Sequence, residues 1–348
     1  MRLLLLGGTE FVGRAVAEAA LERGWDVTVF HRGRHAPVAG VRSLHGDRTV
    51  PGGLTALAEG GPWDLVVDTW SAAPRAVRDA ARLLRGRADR YAYVSSRSVY
   101  AWPQPAGHTE DAPLVEGAAA DAEETDYARD KRGGELAAVD AFGTDRSLLV
   151  RAGLILGPYE NIGRLPWWLG RIARGGPVLA PGPRDLPLQY VDVRDLAQWT
   201  LSAAEAALNG PYNLVSPPGH TTMGELLGAC VAVTGSDAEL CWTDPDIVLD
   251  AGIEPWTGLP VWVPPDTDLH TTLHGADTSR AAAAGLRCRP VTETVSDTWR
   301  WMRDLGGVAP QRPDRPVVGI DPETEAKALA GLQPADRLTR PSRSGPGG

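Results

Sequence analysis

Tyr127 and Lys131 stand four residues apart in a segment, residues 127–141, whose pattern predicts a helix. Residues at this spacing share one face of a helix. Two charges about 4 Å apart, at an effective dielectric constant of about 20, interact by about 4 kcal/mol, which corresponds to about three pKa units. The ammonium group could therefore let the phenol exchange a proton with an alcohol or a carbonyl near neutral pH.

The rarity of lysine in this sequence favours a specific role for Lys131. Lys131 and Lys327 are the only lysines among the 35 lysines and arginines of the chain, so a lysine that remains could serve a purpose that arginine cannot. Ser96, at the end of a predicted strand over residues 91–95, is the candidate for holding the substrate oxygen against the tyrosine. Two solvated helix residues and a serine that caps a turn are the alternative interpretation.

A glycine-rich turn follows the first predicted strand, residues 2–6, and precedes a predicted helix over residues 14–23. Glycines in this position let the backbone approach a pyrophosphate, whose charge the helix N-terminus stabilises. The turn therefore predicts a dinucleotide site, and an ordinary strand–helix turn is the alternative. Its predicted contacts are Gly7, Gly8, Thr9, Phe11, Val12 and Gly13.

The second predicted strand, residues 26–30, is followed by Arg32 and Arg34 and by no carboxylate. An arginine at this point accommodates a 2′-phosphate, so the sequence favours NADP(H), with NAD(H) as the other candidate and a solvated basic loop as the alternative. Asp47 is the candidate for the adenine side, unless it only forms a turn. The remaining predicted cofactor contacts are Arg48, Thr69 and Leu154, together with Tyr127 and Lys131.

Strands alternate with helices up to about residue 155, which predicts an α/β fold of the Rossmann type: a doubly wound parallel sheet with a smaller C-terminal substrate lobe. We assign residues 1–156 and 187–215 to the dinucleotide-binding domain and residues 157–186 and 216–310 to the lobe. Residues 311–333 form a C-terminal extension, and residues 334–348 have the composition of a disordered tail.

Composition narrows the possible partners. A net charge of −9 disfavours nucleic-acid binding. Three widely spaced cysteines and scattered histidines indicate neither disulfides nor a metal site and are typical of a reducing cytoplasm. No stretch is apolar for long enough to cross a membrane, so we expect a cytoplasmic enzyme with a small-molecule substrate.

Together these motifs resemble the extended short-chain dehydrogenase/reductases, the NAD-dependent epimerase/dehydratase superfamily, over about residues 1–305. The resemblance implies that Ser96, Tyr127 and Lys131 are catalytic and that the protein could be a homodimer. Three positions depart from the common pattern. Glu10 replaces the middle glycine, as in an atypical G-G-T-x-F-x-G subgroup. Arg97 and Ser98 stand where sugar-nucleotide 4,6-dehydratases carry an Asp-Glu pair, and Leu154 stands where sugar-nucleotide enzymes tend to have asparagine.

The leading hypothesis is an NAD(P)-dependent oxidoreductase that transfers hydride between the cofactor and a small carbonyl or alcohol. The alternatives are an epimerase/dehydratase that recycles its hydride internally and a non-catalytic, cofactor-binding or RNA-associated protein. Possible substrate contacts, each of which could instead be a core residue or a surface ion pair, are Trp70, Arg97, Tyr100, Trp167, Trp168 and Arg194.

Overall fold

The computed structural model describes residues 1–122 and 126–331. The strands are β1 (Arg2–Leu6), β2 (Asp26–His31), β3 (Arg42–His45), β4 (Trp63–Asp68), β5 (Ala88–Ser96), β6 (Ser147–Ala152), β7 (Leu154–Leu156), β8 (Pro177–Pro181), β9 (Pro187–Leu188), β10 (Tyr190–Asp192), β11 (Gly210–Leu214), β12 (Thr221–Thr222), β13 (Glu239–Thr243), β14 (Pro255–Trp256) and β15 (Leu259–Pro260). The helices are α1 (Phe11–Glu22), α2 (Thr55–Ala58), α3 (Arg75–Leu84), α4 (Tyr127–Phe142), α5 (Arg164–Ala173), α6 (Val193–Glu205), α7 (Met223–Thr234), α8 (Pro245–Asp250), α9 (Asp268–His274), α10 (Ser279–Ala283), α11 (Val291–Asp304) and α12 (Pro322–Gly331). The tail proposed for residues 334–348 lies outside the described residues.

Two compact units make up the chain. The first consists of Met1–Asn161, Gln189–His220 and Asp268–Pro290, and the second of Ile162–Leu188, Thr221–Thr267 and the described residues from 291 onward. The segment Asp268–Pro290 was expected in the lobe, but it lies in the first unit. Side chains of the first unit donate hydrogen bonds to its backbone. Its carbonyls at residues 276, 277 and 284 accept hydrogen bonds from the side chains of Gln189, Asn213 and Trp199.

A seven-stranded parallel sheet forms the centre of the first unit, in the order β11-β6-β5-β4-β1-β2-β3. The predicted fold class, a Rossmann-type parallel sheet flanked by helices, is confirmed. The edge strand β3 was not predicted, because its sequence Arg-Ser-Leu-His is polar and only half-buried and carries no clear strand pattern.

Helices cover both faces of the sheet, and the first strand shows why. Leu3 and Leu5 point into a core formed with α1 and α6, whereas Leu4 and Leu6 point into a second core formed with α3 and α4. Because all seven strands are parallel, their carboxyl ends lie at one edge. The ends of β1, β2, β4 and β5 there are the place where a ligand binds in folds of this kind.

The second unit is built from short strand pairs and the helices α5, α7, α8, α11 and α12. Trp168 and Trp262 fill its core, and their indole N–H groups donate to the carbonyls of Pro260 and Gly182. Helix α12, from the predicted extension, is fixed by Glu325, which pairs with Arg171 in the interior of this unit. The extension therefore packs as part of the second unit up to residue 331.

Among the described residues, no helix has the length and the apolar character needed to cross a membrane. Over residues 1–122 and 126–331, no group of three or more His, Cys, Asp or Glu side chains is arranged to hold a metal ion.

Candidate active site

The turn between β1 and α1 approaches its neighbours so closely that glycine is required. A Cβ at residue 13 would stand 1.9 Å from the Gly7 carbonyl oxygen. Gly7 has a φ of +92°, and its N–H donates to the Phe30 carbonyl at 3.0 Å, at the end of β2. Thr69, just after β4, donates to the Gly7 carbonyl at 3.0 Å. The turn thus joins three strand ends at the N-terminus of α1, and it fits a pyrophosphate.

Glu10, the unusual residue of this turn, precedes the first residue of α1 but makes no side-chain hydrogen bond to the helix amides. Its carboxylate accepts a hydrogen bond from Asn161 Nδ2 at 2.9 Å and lies 3.5 Å from His35 Nδ1. The negative charge is therefore held by side chains from other loops. The other predicted members of the turn also lie in it: Gly8, Thr9, Phe11 and Val12.

Three charged residues predicted for the adenosine end of a cofactor share one neighbourhood. Arg32 and Arg34 follow β2 as exposed residues, and Asp47 lies in the loop after β3. Hydrogen bonds from Thr49 are the main cause that lowers the pKa of Asp47, and the charges of Arg32 and Arg34 lower it further. The two guanidinium groups are thus close enough to Asp47 for their charges to be felt there.

Although Arg48 follows Asp47 in the sequence, its side chain does not point toward the predicted cofactor contacts. Its guanidinium turns into the protein, where Nη1 and Nη2 donate to the two carboxylate oxygens of Asp68 at 2.6 and 2.7 Å. Nη2 also donates to the Ala76 carbonyl of α3 at 2.9 Å. Because Asp68 is fully buried, its charge requires such a partner. We therefore correct the assignment of Arg48 to a buried structural ion pair.

Ser96 is the last residue of β5, and its side chain is nearly buried. Its Oγ accepts a hydrogen bond from the backbone N–H of Ser98 at 3.1 Å, so it caps the 3₁₀ turn that follows the strand. The hydroxyl also donates to Ser98 Oγ at 3.1 Å. The cap and the predicted contact with substrate are compatible, because the Ser96 oxygen can keep accepting from the Ser98 N–H while its hydroxyl proton turns from Ser98 Oγ to a substrate oxygen.

Tyr127 and Lys131 occupy the first two turns of α4, as the spacing predicts. Asp126 begins the helix by accepting a hydrogen bond from the Arg129 N–H at 3.0 Å. The Lys131 side chain runs inward and is 3% exposed, whereas Tyr127 is 40% exposed. Nζ of Lys131 donates to the carbonyls of Trp70 and Val94, both at 2.6 Å. The ammonium group thus lies at the carboxyl ends of β4 and β5. One of its two acceptors, Val94, stands two residues before Ser96 on β5.

Tyr93, on β5, lies beside the Lys131 ammonium group. Lys131 Nζ lies 4.9 Å from the centre of the Tyr93 ring. Burial first, then the charge of Asp68, and then Tyr127 raise the pKa of Tyr93 well above its usual range. Lys131, four residues after Tyr127 on α4, thus lies against the Tyr93 ring of β5, the strand that ends in Ser96.

A buried network that the sequence did not indicate fixes α4 against the sheet. Glu135, two turns after Tyr127, is fully buried and accepts hydrogen bonds from Ser95 at 2.7 Å and from Arg151 at 2.9 Å. Arg132 adds a bond to the same carboxylate at 2.9 Å. Ser95 is on β5 and Arg151 on β6, so the network bonds α4 to two strands. It thereby fixes the position of the first turns of α4 along these strands. Only the helical spacing of residues 127, 131 and 135 could have suggested it.

Arg97, predicted as a contact for a substrate anion, is used inside the protein. Its guanidinium is buried and donates to the carbonyls of Thr272 and Leu273 at 2.6 and 2.8 Å. It also lies 3.0 Å from His108 Nε2. Burial lowers its pKa to about 10. This arginine fastens α9 to the end of β5, so we correct its assignment to that structural role.

Three other predicted contacts are also engaged within the first unit. The buried Tyr100 donates to Asn213 Oδ1 at 2.5 Å. Arg194 pairs with Asp192 at 2.8 Å, which is the ion pair considered as its alternative. Leu154 is buried in β7 and contributes an apolar side chain to the interior.

The three tryptophans considered for the substrate fall into different environments. Trp168 is fully buried in the core of the second unit, so the core interpretation holds for it. Trp167 is half-buried beside it, with the ring centres 4.8 Å apart. Trp70 lies in the first unit, half-buried, directly after Thr69, and its carbonyl accepts the Lys131 hydrogen bond. Of the three tryptophans, Trp70 is the one whose backbone contacts Lys131.

Acid should destabilise the protein through His274, at the end of α9. Its Nδ1 accepts a hydrogen bond from the Gln189 N–H at 2.9 Å. Burial, with His270 and Arg97 nearby, lowers its pKa from 6.5 to about 3. Since the unfolded chain binds the proton first, stability is lost as pH falls from 6.5 toward about 3, by up to about 1.4 kcal/mol per unit.

The variant His274→Gln keeps an acceptor for Gln189 and cannot be protonated. Between pH 6.5 and about pH 5 it should lose about 2 kcal/mol less stability than the wild type. Denaturant unfolding at both pH values measures this difference. The same loss in both proteins would show that His274 does not take up the proton on unfolding.

The family comparison and the solved structures place the chain among known proteins. Residues 65–214 match the NAD dependent epimerase/dehydratase family. None of the curated proteins matches the sequence. The enzyme WbmH of Bordetella bronchiseptica, in complex with NAD⁺, is 19% identical over 88% of this chain and 99% of its own, with a TM-score of 0.62.

Two further structures have similar scores. A putative epimerase from Burkholderia cenocepacia J2315 is 21% identical over 87% of this chain and 97% of its own, with a TM-score of 0.62. The UDP-glucose 4-epimerase of Thermotoga maritima, with UDP-glucose, is 16% identical over 88% and 99%, with a TM-score of 0.61. At these identities the likeness establishes a shared fold.

The family match runs from β4 to β11 and includes Ser96, Tyr127 and Lys131. It therefore covers the strand β5, which ends in Ser96, and the helix α4, which carries Tyr127 and Lys131. The match of residues 65–214 to the NAD dependent epimerase/dehydratase family confirms, for this part of the chain, the resemblance that its motifs indicated.

Proposed function

We propose that the protein is a nicotinamide-dinucleotide enzyme of the epimerase/dehydratase class, which acts on a carbon that bears a hydroxyl group. The observation that carries the proposal is the setting of Lys131. Its ammonium group is buried and bonded to the carbonyls of Trp70, just after β4, and of Val94, two residues before Ser96 on β5, while Tyr127 on the preceding turn of α4 stays accessible. The family match and the NAD⁺ complex of WbmH support a nicotinamide cofactor.

Each residue has a definite task in this proposal. The turn from Gly7 to Gly13 holds the pyrophosphate, because its backbone leaves room and α1 begins there. A bound nicotinamide ring would supply the hydride acceptor and donor for the carbon. Tyr127 removes the proton from the substrate hydroxyl and returns it, Lys131 favours the phenolate by its charge, and Ser96 bonds the same substrate oxygen.

We favour internal recycling of the hydride over net oxidation, because the family and the neighbouring structures point to epimerases. Arg97 and Ser98 do not supply the Asp-Glu pair of sugar-nucleotide 4,6-dehydratases, and Leu154 does not supply the asparagine of sugar-nucleotide enzymes, so the substrate need not be a sugar nucleotide. The proposal therefore names an epimerase-like reaction at a carbinol carbon and leaves the acid/base work to Tyr127. Net oxidation of a small alcohol or reduction of a small carbonyl is the second candidate, and the basic loop after β2 favours it.

The nucleotide that the purified protein retains tests the choice between the two. An enzyme that recycles its hydride should release close to one dinucleotide per chain on acid denaturation, identified by mass spectrometry. It should also turn over without a net change in reduced-nicotinamide absorbance. A protein that purifies without nucleotide and oxidises added cofactor steadily with a carbonyl substrate would instead be a net oxidoreductase.

Arg32 should determine the preference for a 2′-phosphate. If it pairs with this group, Arg32→Ala should weaken NADPH binding about tenfold and leave NADH binding nearly unchanged, since a hydrogen bond to a charged group contributes about 1.5–3 kcal/mol. Tryptophan fluorescence titration with both cofactors measures the ratio. Arg85→Ala, an exposed residue between α3 and β5, is the matched control. Tighter binding of NADH than of NADPH by the wild type would contradict this role of Arg32.

A further inference from the structure

Asp68 holds a carboxylate with four hydrogen bonds close to the Trp70 partner of Lys131, although neither the motifs nor the proposed chemistry calls for it. It is the last residue of β4 and is 0% exposed. Arg48 donates two hydrogen bonds to it, and the Tyr91 hydroxyl donates a third at 2.5 Å. The fourth comes from the backbone N–H of Trp70 at 3.0 Å. The backbone N–H of Trp70 is therefore fixed by a charge in the interior.

The other end of the same residue receives the catalytic lysine. The Trp70 carbonyl accepts a hydrogen bond from Lys131 Nζ at 2.6 Å and one from the Tyr93 hydroxyl at 3.1 Å. Arg48 also lies 5.2 Å from the centre of the Trp70 ring. A continuous chain of contacts thus runs from Arg48 through Asp68 and Trp70 to Lys131.

Stability alone does not explain a buried ion pair in this place. Removing two charges from water is costly, and well-packed apolar residues in their stead are often neutral or stabilising. The pair does, however, fix a peptide more firmly than apolar contacts can, since hydrogen bonds are directional. Lysine has a long flexible stem, so its ammonium group needs such fixed acceptors to stay in one place.

We propose that Asp68, held by Arg48, is a positioning residue for Lys131. It fixes the Trp70 N–H and so orients the backbone at Trp70, whose carbonyl, together with that of Val94, accepts the hydrogen bonds of the ammonium group. The importance of this position for catalysis rests on the proposed function, but the positioning itself does not. Arg48 and Asp68 are 20 residues apart in the sequence, and Trp70 and Lys131 are 61 residues apart. These separations explain why no local motif indicates this series of contacts.

The chain offers a clean probe, because it has two lysines and only one of them lies at this site. Lys327 is 74% exposed on α12 and serves as the internal reference. In protein labelled with ¹³C-lysine, Asp68→Asn should shift the Lys131 side-chain signal and leave the Lys327 signal in place. Acetylation of Lys131 by acetic anhydride should become about tenfold faster relative to Lys327, since the amine loses local protection.

Three further variants separate positioning from stability. The double variant Arg48→Met, Asp68→Leu removes both charges, so we expect it to fold and still to show the shifted, faster-reacting Lys131. Tyr91→Phe deletes one hydrogen bond to Asp68 and no charge, and it should give a smaller shift in the same direction. Glu325→Gln breaks the buried pair with Arg171 in the second unit and should leave Lys131 unchanged.

The result that would overturn the proposal is an unchanged Lys131 signal and acetylation rate in Asp68→Asn, in the double variant or, if neither folds, in Tyr91→Phe. These readouts need neither cofactor nor substrate. A wild-type protein that retains and binds no dinucleotide would contradict the proposed function, whereas the lysine signals would still decide whether Asp68 positions Lys131.

Discussion

Tyr127→Phe should lower turnover by on the order of 10³-fold, because it removes the group that exchanges a proton with the substrate oxygen. The fold should be unaffected. Tyr127 is 40% exposed at the start of α4, and substitutions at such positions change stability by about 0.5 kcal/mol or less. Steady-state kinetics, with a thermal or denaturant unfolding curve of the same sample, separates the two effects.

Tyr212→Phe is the matched control for this loss. Tyr212 is a tyrosine of the same unit, but it is buried on β11 among core residues and packs on Trp199. We expect it to keep nearly full turnover. If Tyr127→Phe retained the activity of the wild type, Tyr127 would not be the acid/base group, and α4 would only serve as structure.

Gly13→Ala should disrupt both the first unit and its nucleotide site. The added methyl group would stand 1.9 Å from the Gly7 carbonyl oxygen and 2.9 Å from Gly8 Cα, and neither backbone atom can move as a side chain would. We expect a loss of stability of about 3 kcal/mol or more and no measurable dinucleotide binding. Denaturant unfolding and a fluorescence titration measure the two effects.

Gly228→Ala in α7 is the control for this second substitution. Nothing lies within 4 Å of a Cβ added there, and an alanine in a helix interior is favoured over glycine by up to about 1 kcal/mol. This variant should be as stable as the wild type or more so. A Gly13→Ala protein that binds cofactor as the wild type does would show that the turn is not the pyrophosphate site.

The elements that the sequence revealed are those whose signal is local. The strand Arg2–Leu6, the glycine turn and the start of α1 follow one another within 13 residues, so apolar pattern, turn and helix could be recognised together. The same holds for Tyr127 and Lys131, whose common helix face follows from their spacing alone. The sheet then brings Ser96 to them because parallel strands end at one edge.

The parts that could not be predicted depend on partners far apart in the chain. Arg48 looked like a cofactor contact because it follows Asp47, but its direction is set by Asp68, a buried charge on another strand. Arg97 looked like an anion site, but it is drawn to the carbonyls of Thr272 and Leu273. A single sequence shows neither the register of the strands nor the return of residues 268–290 to the first unit.

The measurement that tests the central claim most directly is a calorimetric titration of the wild-type protein, freed of any retained nucleotide, with NAD⁺ and with NADP⁺. Both the proposed pyrophosphate site, the turn from Gly7 to Gly13, and the proposed site of Ser96, Tyr127 and Lys131 require a bound dinucleotide. At least one of NAD⁺ and NADP⁺ should therefore bind, at about one molecule per chain. Gly228→Ala should bind it as well as the wild type, because the turn from Gly7 to Gly13 is intact in this variant. If the wild type binds neither dinucleotide at millimolar concentration, the protein is not a nicotinamide-cofactor enzyme, and the buried setting of Lys131 serves only the fold.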